Sequence, residues 1–232
     1  KKENYELVAL CRNKNDMLSQ YVDKVTYCDV TNYDEFLKAC EQIDYIIHLA
    51  AVHEKDVKSD LKKNEVLNTS IQGTKNLIEI SKQKKFKKII YVSSVAICGV
   101  TSDKTTLIEN DKYTDKNSEK EPYIKAKYFS HNLVENAIQE GLPFLILMPS
   151  FTIGENDYKL TPPNQIIKKL CNFPFNLFYL KGGINIINVK DIAYLIYSSI
   201  KDLDIGEKYI LSGYNIEIKD LILRLRKLNK NK

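Results

Sequence analysis

Glycine is scarce in this 232-residue chain: there are eight, and the first is Gly73. A glycine-rich turn whose backbone N–H groups cradle phosphates therefore cannot lie ahead of that position. No apolar run approaches the ~20 residues that a membrane-spanning helix needs. The N-terminus also lacks the pattern of a signal peptide. Five cysteines (Cys11, Cys28, Cys40, Cys98, Cys171) are scattered, odd in number and without CxxC spacing. That argues against a disulfide framework or a zinc site and for reduced thiols in a cytosolic setting. Net charge is a modest +5, and the basic clusters Lys82 to Lys88 and Arg224 to Lys232 carry no base-reading motif. They read as a solvated face and a fraying end, not as a nucleic-acid surface. The expectation is a soluble, cytoplasmic protein with neither nucleic acid nor membrane as a partner.

What is present is ordinary globular material, 44% hydrophobic and 28% charged. The length allows one substantial core, or a core with a small lobe. Apolar runs at Tyr5 to Cys11, Lys24 to Cys28, Tyr45 to Ala51, Lys88 to Ser93 and Phe144 to Met148 predict strands. Helical patterns lie between them: one capped by Asn32, one over Ser59 to Gln83, and one from Pro122 to the Gly141-Leu142-Pro143 stop. Continuous apolar strands alternating with helices predict an α/β, doubly wound parallel sheet covered on both faces. In such a sheet ligands bind beyond the carboxyl ends of the strands. The pattern changes after Pro149. Helices from Pro162 to Cys171, Asp191 to Ile200 and Ile218 to Leu228, with strands at Ile184 to Val189 and Lys208 to Leu211, predict a small lobe. Residues 1–150 then form the core unit and residues 151–232 the lobe, intertwined with it.

The candidate chemistry centres on Tyr123, Lys127 and Ser94. Positions i and i+4 share a helix face, so the Lys127 ammonium can approach the Tyr123 phenol. A free phenol titrates near ~10, and a neighbouring cation lowers that value. Ser94, at the end of an apolar strand, can orient a carbonyl while Tyr123 donates or accepts a proton.

An ordered series of motifs accompanies this trio. It comprises Asp29-Val30, His48-Leu49-Ala50-Ala51, Gly73-Thr74-Lys75-Asn76-Leu77, Ser93-Ser94-Val95-Ala96-Ile97-Cys98-Gly99, Tyr123 to Lys127, and Pro149-Ser150-Phe151-Thr152-Ile153-Gly154. Asn188-Val189-Lys190-Asp191-Ile192-Ala193 and Gly206-Glu207-Lys208-Tyr209-Ile210-Leu211 complete it. Over nearly its whole length the chain resembles the extended short-chain dehydrogenases/reductases, the NAD-dependent epimerase/dehydratase family. The resemblance implies a Rossmann-like fold with a substrate lobe, and Ser94, Tyr123 and Lys127 as catalytic residues. It implies that Asp29 and Val30 meet the adenine and that Leu49, Ala50 and Ala51 support the nicotinamide ribose. Lys127 would bond that ribose too, Tyr123 would lie beside it, and Pro149 and Ser150 would flank the carboxamide. That family opens with a strand and glycine-rich turn, so residues 1 to 5 read as the tail of the helix that follows it. The expectation is a chain lacking its native N-terminus, and stopping early at its C-terminus.

Arg12 follows a strand where NAD-preferring relatives carry an acidic residue. A cation there can pair with a 2′-phosphate, which favours NADP(H), with NAD(H) the alternative. Lys14 can assist. Gly99 sets Ser94 at the catalytic position and leaves Ser93 structural. His48 and His53 read as structural or rim residues, and Ser70 stands where many relatives have Asn. Val95-Ala96 replaces the Asp-Glu pair of sugar dehydratases, which argues against elimination. Ser-Ser-Val-Ala, Asp157 to Pro163 and Leu211-Ser212-Gly213 resemble the dihydroflavonol-reductase-like branch. The preferred reading is a carbonyl reductase or alcohol dehydrogenase acting on a small molecule. The alternatives are a sugar epimerase with retained NAD and a non-catalytic NADP(H) sensor. Phe173, Phe175, Phe178 and Tyr179 are candidate pocket or core residues. The two long helices are candidates for a homodimer interface.

Overall fold

A computed structural model describes residues 5–13, 18–49, 60–99, 106–111, 122–158, 160–172 and 182–230. Its framework is a four-stranded parallel sheet of β3 (Tyr45–His48), β4 (Lys88–Val92), β5 (Phe144–Pro149) and β8 (Lys208–Leu211), in that order. Beside it, β1 (Val8–Cys11) and β2 (Lys24–Tyr27) form a two-stranded parallel sheet. A third sheet joins β6 (Phe151–Ile153), β7 (Gly183–Asn188) and β9 (Tyr214–Glu217), parallel at the first pairing and antiparallel at the second. The described residues also form six α-helices: α1 (Tyr33–Ala39), α2 (Asp60–Gln83), α3 (Pro122–Gln139), α4 (Pro162–Asn172), α5 (Val189–Asp202) and α6 (Ile218–Lys230).

The central strands show why the sheet is covered on both faces. Successive side chains on a strand point to opposite sides. Ile89, Tyr91, Phe144, Ile146 and Met148 accordingly enter a core that includes Leu77, Ile80, Val134 and Ala137 of α2 and α3. Ile90, Leu145 and Leu147 face the other way, against Ile187, Ile192 and Leu211. Most of these side chains are fully buried, which demands an unbroken apolar run with no polar alternation.

Local chemistry sets the helix ends. Asn32 Oδ1 accepts from the Glu35 backbone N–H at 3.3 Å and caps α1. α3 stops where Gly141, at φ +84°, donates to Ile138 O and Leu142 donates to Ala137 O, a paired closure that needs a left-handed residue. Asn188 caps α5, so that helix starts at Val189, ahead of the expected Asp191.

Three further differences from the sequence reading have local causes. The first strand begins at Val8, because Leu7 N–H turns aside to the Asp23 carboxylate. β6 and β9 are too short to show a period in sequence. β3 ends at His48, and Leu49 beyond it is exposed. The expectations for Lys14, Ala50, Ala51, His53, Phe173, Phe175, Phe178 and Tyr179 lie outside the described residues. No helix among the described residues is long and apolar enough to cross a membrane.

Candidate active site

Because the four central strands run parallel, their carboxyl ends share one rim, and the residues just after them gather there. Leu49 follows β3, Ser93 and Ser94 follow β4, and Ser150 follows β5. α3 connects β4 to β5, so its first turns, with Tyr123 and Lys127, start from the same rim.

Lys127 is the most constrained group of the set. Only 7% of it is exposed, and its ammonium donates to the Val92 carbonyl at 3.0 Å, at the last residue of β4. Burial disfavours the charged form and lowers its pKa to about 8. His48, also buried, stacks on Tyr91 with ring centroids 5.6 Å apart and planes 14° apart. Burial, and secondarily the Lys127 charge, push its pKa down to about 4. His48 is therefore neutral at physiological pH and adds no cation beside Lys127. Tyr123 is half-buried, one helical turn before Lys127 on the same face of α3.

The adjacent serines differ in environment. Ser93 is buried and its Oγ lies 3.0 Å from His131 Nδ1. Ser94 is half-buried and caps a 3-10 turn over Val95–Ile97, its Oγ accepting from the Ala96 N–H at 3.2 Å. That contact uses an acceptor lone pair and leaves the Ser94 hydroxyl hydrogen available to a further partner.

Asp29 and Val30 lie beyond the end of β2. Asp29 Oδ1 accepts from the Thr31 N–H at 2.9 Å and from the Thr31 hydroxyl at 2.8 Å. The Thr31 backbone hydrogen bond above all, then its hydroxyl and the Arg12 charge, hold the Asp29 carboxyl below the usual range. Arg12 itself is exposed just after β1. Asn76 of α2 donates to both the Val30 and Thr31 carbonyls at 2.9 Å, and Gln72 donates to Asn76 Oδ1. Gly73 lets α2 come this close, since a Cβ there would sit 2.8 Å from Val30 Cγ2. Ser150 is buried, with its N–H donating to Leu211 O, while its Oγ meets no hydrogen-bond partner among the described residues.

Two polar residues were not singled out from sequence. In sequence Asn76 is only part of a motif, and its clamp on the Val30–Thr31 turn is a tertiary contact. His131 follows Lys127 by four residues, and that spacing was the available signal. Ser70, in the place of a frequent Asn, is buried and its carbonyl accepts from the Thr74 hydroxyl at 2.8 Å. Among the described residues no group of three or more His, Cys, Asp and Glu could hold a metal ion.

Comparison with known proteins bears on the family of the chain. A Synechocystis protein named as a candidate dihydroflavonol 4-reductase is 25% identical over 233 residues, covering 96% of this chain and 65% of its own length. The dTDP-D-glucose 4,6-dehydratase of Dictyostelium discoideum is 28% identical over 204 residues, covering 82% of this chain and 45% of its own. The chain thus spans less than two thirds of either relative. Among solved structures, gox2253 superposes with a TM-score of 0.84 at 26% identity, over 96% of this chain and 66% of that one. The model of the NAD dependent epimerase/dehydratase family matches residues 1–176, and the chain belongs to that family.

Proposed function

We propose that this chain carries the working site of an NADP(H)-dependent carbonyl reductase or secondary-alcohol dehydrogenase, with Ser94, Tyr123 and Lys127 as its catalytic residues. The observation that supports it most is the Lys127 ammonium. It is withdrawn from water, lowered to about 8, and anchored to Val92 O beside the Ser93-Ser94 turn. Holding a cation in a buried place is costly unless it serves something. Here it favours the anionic form of the phenol one turn away. Tyr123 then passes a proton to or from the substrate oxygen, and the Ser94 hydroxyl donates to that oxygen and orients it.

Several residues present fit a dinucleotide. Asp29 and Val30 form a shaped turn held by Asn76, with an acceptor at Asp29 for an adenine amine. Ser150 Oγ is a buried hydroxyl without a hydrogen-bond partner among the described residues, suited to a carboxamide. Leu49 offers an exposed apolar surface at the rim. Arg12 supplies a cation for a 2′-phosphate. When bound, the nicotinamide supplies or accepts the hydride.

The test is a fluorescence titration with NADPH and NADH, on this chain and on the same chain preceded by a relative's strand and glycine-rich turn. Preferential NADPH binding, reduced about tenfold by Arg12→Asp, is expected; tenfold corresponds to ~1.4 kcal/mol, the scale of one charged contact. Tight NAD(H) that survives purification points instead to the epimerase reading. Failure of both forms to bind either nucleotide overturns the enzymatic reading.

A further inference from the structure

Lys127, His131 and Glu135 follow one another at intervals of four and lie along one side of α3. Each has a different task. Lys127 holds the Val92 carbonyl. His131, 1% exposed, meets Ser93 Oγ through Nδ1 at 3.0 Å, while its Nε2 lies 3.3 Å from Glu135 Oε1, an electrostatic contact outside hydrogen-bond alignment. Glu135 Oε1 in turn accepts from the Lys208 ammonium of β8 at 2.5 Å. The chain Ser93–His131–Glu135–Lys208 runs from the end of β4, through α3, to the start of β8. The ion-paired carboxylate near Nε2 favours the tautomer that carries its proton there. Nδ1 is then the acceptor for the Ser93 hydroxyl. Although a serine, a histidine and a glutamate are aligned, Ser93 is too buried to attack a substrate.

We propose that His131 is a positioning residue: by holding Ser93 it fixes the turn that presents Ser94, and it couples that turn to β8 through Glu135 and Lys208. This rests on the assignment of Ser94 above. Val92 and Ser93 are both tied to the same side of α3, so the next residue cannot rotate independently. β8 leads through Leu211-Ser212-Gly213 into β9 of the third sheet. There the Gly213 N–H donates to Asn185 Oδ1 at 3.0 Å. The serine turn is thereby linked to the strand that enters the lobe.

The test compares His131→Phe, which keeps a ring and removes the acceptor, with His131→Asn, which keeps an acceptor near the Nδ1 position. Amide hydrogen exchange over residues 93–98 is read with protection normalised to each variant's global stability. His131→Phe should lose at least tenfold in protection at Ser93, Ile97 and Cys98, whose N–H groups bond Leu147 O, Ser94 O and Val95 O. His131→Asn should recover most of it, and Ser93→Ala should match His131→Phe without adding to it in the double variant. In a carbonyl-reduction assay, kcat should fall by tenfold or more in His131→Phe with nucleotide Kd unchanged, and His131→Asn should restore it. Equal exchange in all variants, or losses that add, overturns the proposal whatever the activity. A parent protein inactive on every carbonyl, with the exchange pattern as expected, overturns the reductase reading and leaves the device standing. Altered exchange with unaltered kcat in an active enzyme overturns the catalytic consequence.

Discussion

Two buried nitrogen bases at the rim have pKa values lowered by burial, and each makes stability rise with pH in its own window. Burial lowers the Lys127 ammonium to about 8 in the fold, from the 10.5 of an exposed lysine. Below pH 8 both folded and unfolded chains hold its proton, and the burial cost of the cation is present in full. Between about 8 and 10.5 the folded form has released its proton first, so stability rises with pH, by on the order of 3 kcal/mol over the window. Activity should move the other way, falling above pH 8 as Tyr123 loses its neighbouring charge. A pH–rate profile set beside a pH–Tm profile checks both signs. Lys127→Met should cut turnover by about 10²-fold or more while leaving Tm unchanged or raised, because it removes a buried charge. A variant that loses stability and activity together would mark Lys127 as structural. His48, at about 4 in the fold against 6.5 unfolded, stays neutral when buried. Its contribution is complete above pH 6.5 and is lost as pH falls toward 4, again on the order of 3 kcal/mol. Urea unfolding of His48→Gln should show a flatter acid limb than the parent.

At the scale of elements, α2 shapes the turn after β2 by close approach and by hydrogen bonding together. Gly73→Ala would force its Cβ against Val30 Cγ2 at 2.8 Å, and a valine on a short turn has little room to yield. The expected loss is about 1–3 kcal/mol, with Val30→Ala in the same chain restoring part of it, read by chemical denaturation. Asn76→Ala would strand two carbonyls that now accept at 2.9 Å, costing about 1–3 kcal/mol and weakening nucleotide binding more than Tm alone explains. These contacts explain what was legible. The Asp29-Val30 and Gly73 to Leu77 motifs could be read separately as patterns. That Gly73 exists to admit Val30, and Asn76 to hold its carbonyl, belongs to a packing between residues over forty positions apart.

For the whole molecule, Lys88 ties the central sheet to the helix on its far face. Its ammonium, on the first residue of β4, donates to the Ser199, Ile200 and Leu203 carbonyls at 2.9, 2.9 and 2.6 Å, satisfying the carboxyl end of α5. Lys88→Met should lower stability by about 2–4 kcal/mol, since carbonyls closing a helix would lose a charged donor. Thermal unfolding followed by near- and far-UV circular dichroism should show both signals shifting together, as one cooperative unit. In sequence Lys88 looks like one more residue of the basic stretch Lys82 to Lys88, read there as a solvated face. Its neighbours Lys82 and Lys87 do lie at the surface in ion pairs with Glu79, Glu140 and Asp44. Only the strand direction sends Lys88 inward.

By itself the sequence determined the alternation of strands and helices, because fully buried parallel strands require unbroken apolar runs such as Ile89 to Val92 and Phe144 to Pro149. It also determined the candidate trio, because helical spacing alone puts Tyr123 and Lys127 on one face. The tertiary structure decided the rest. It separated Ser93 from Ser94 by burying one against His131. It lowered the Lys127 and His48 pKa values by withdrawing water, and it took β8 from the last quarter of the chain into the central sheet. Those outcomes depend on which surfaces meet across long sequence separations, and a residue's own identity carries no record of what will cover it.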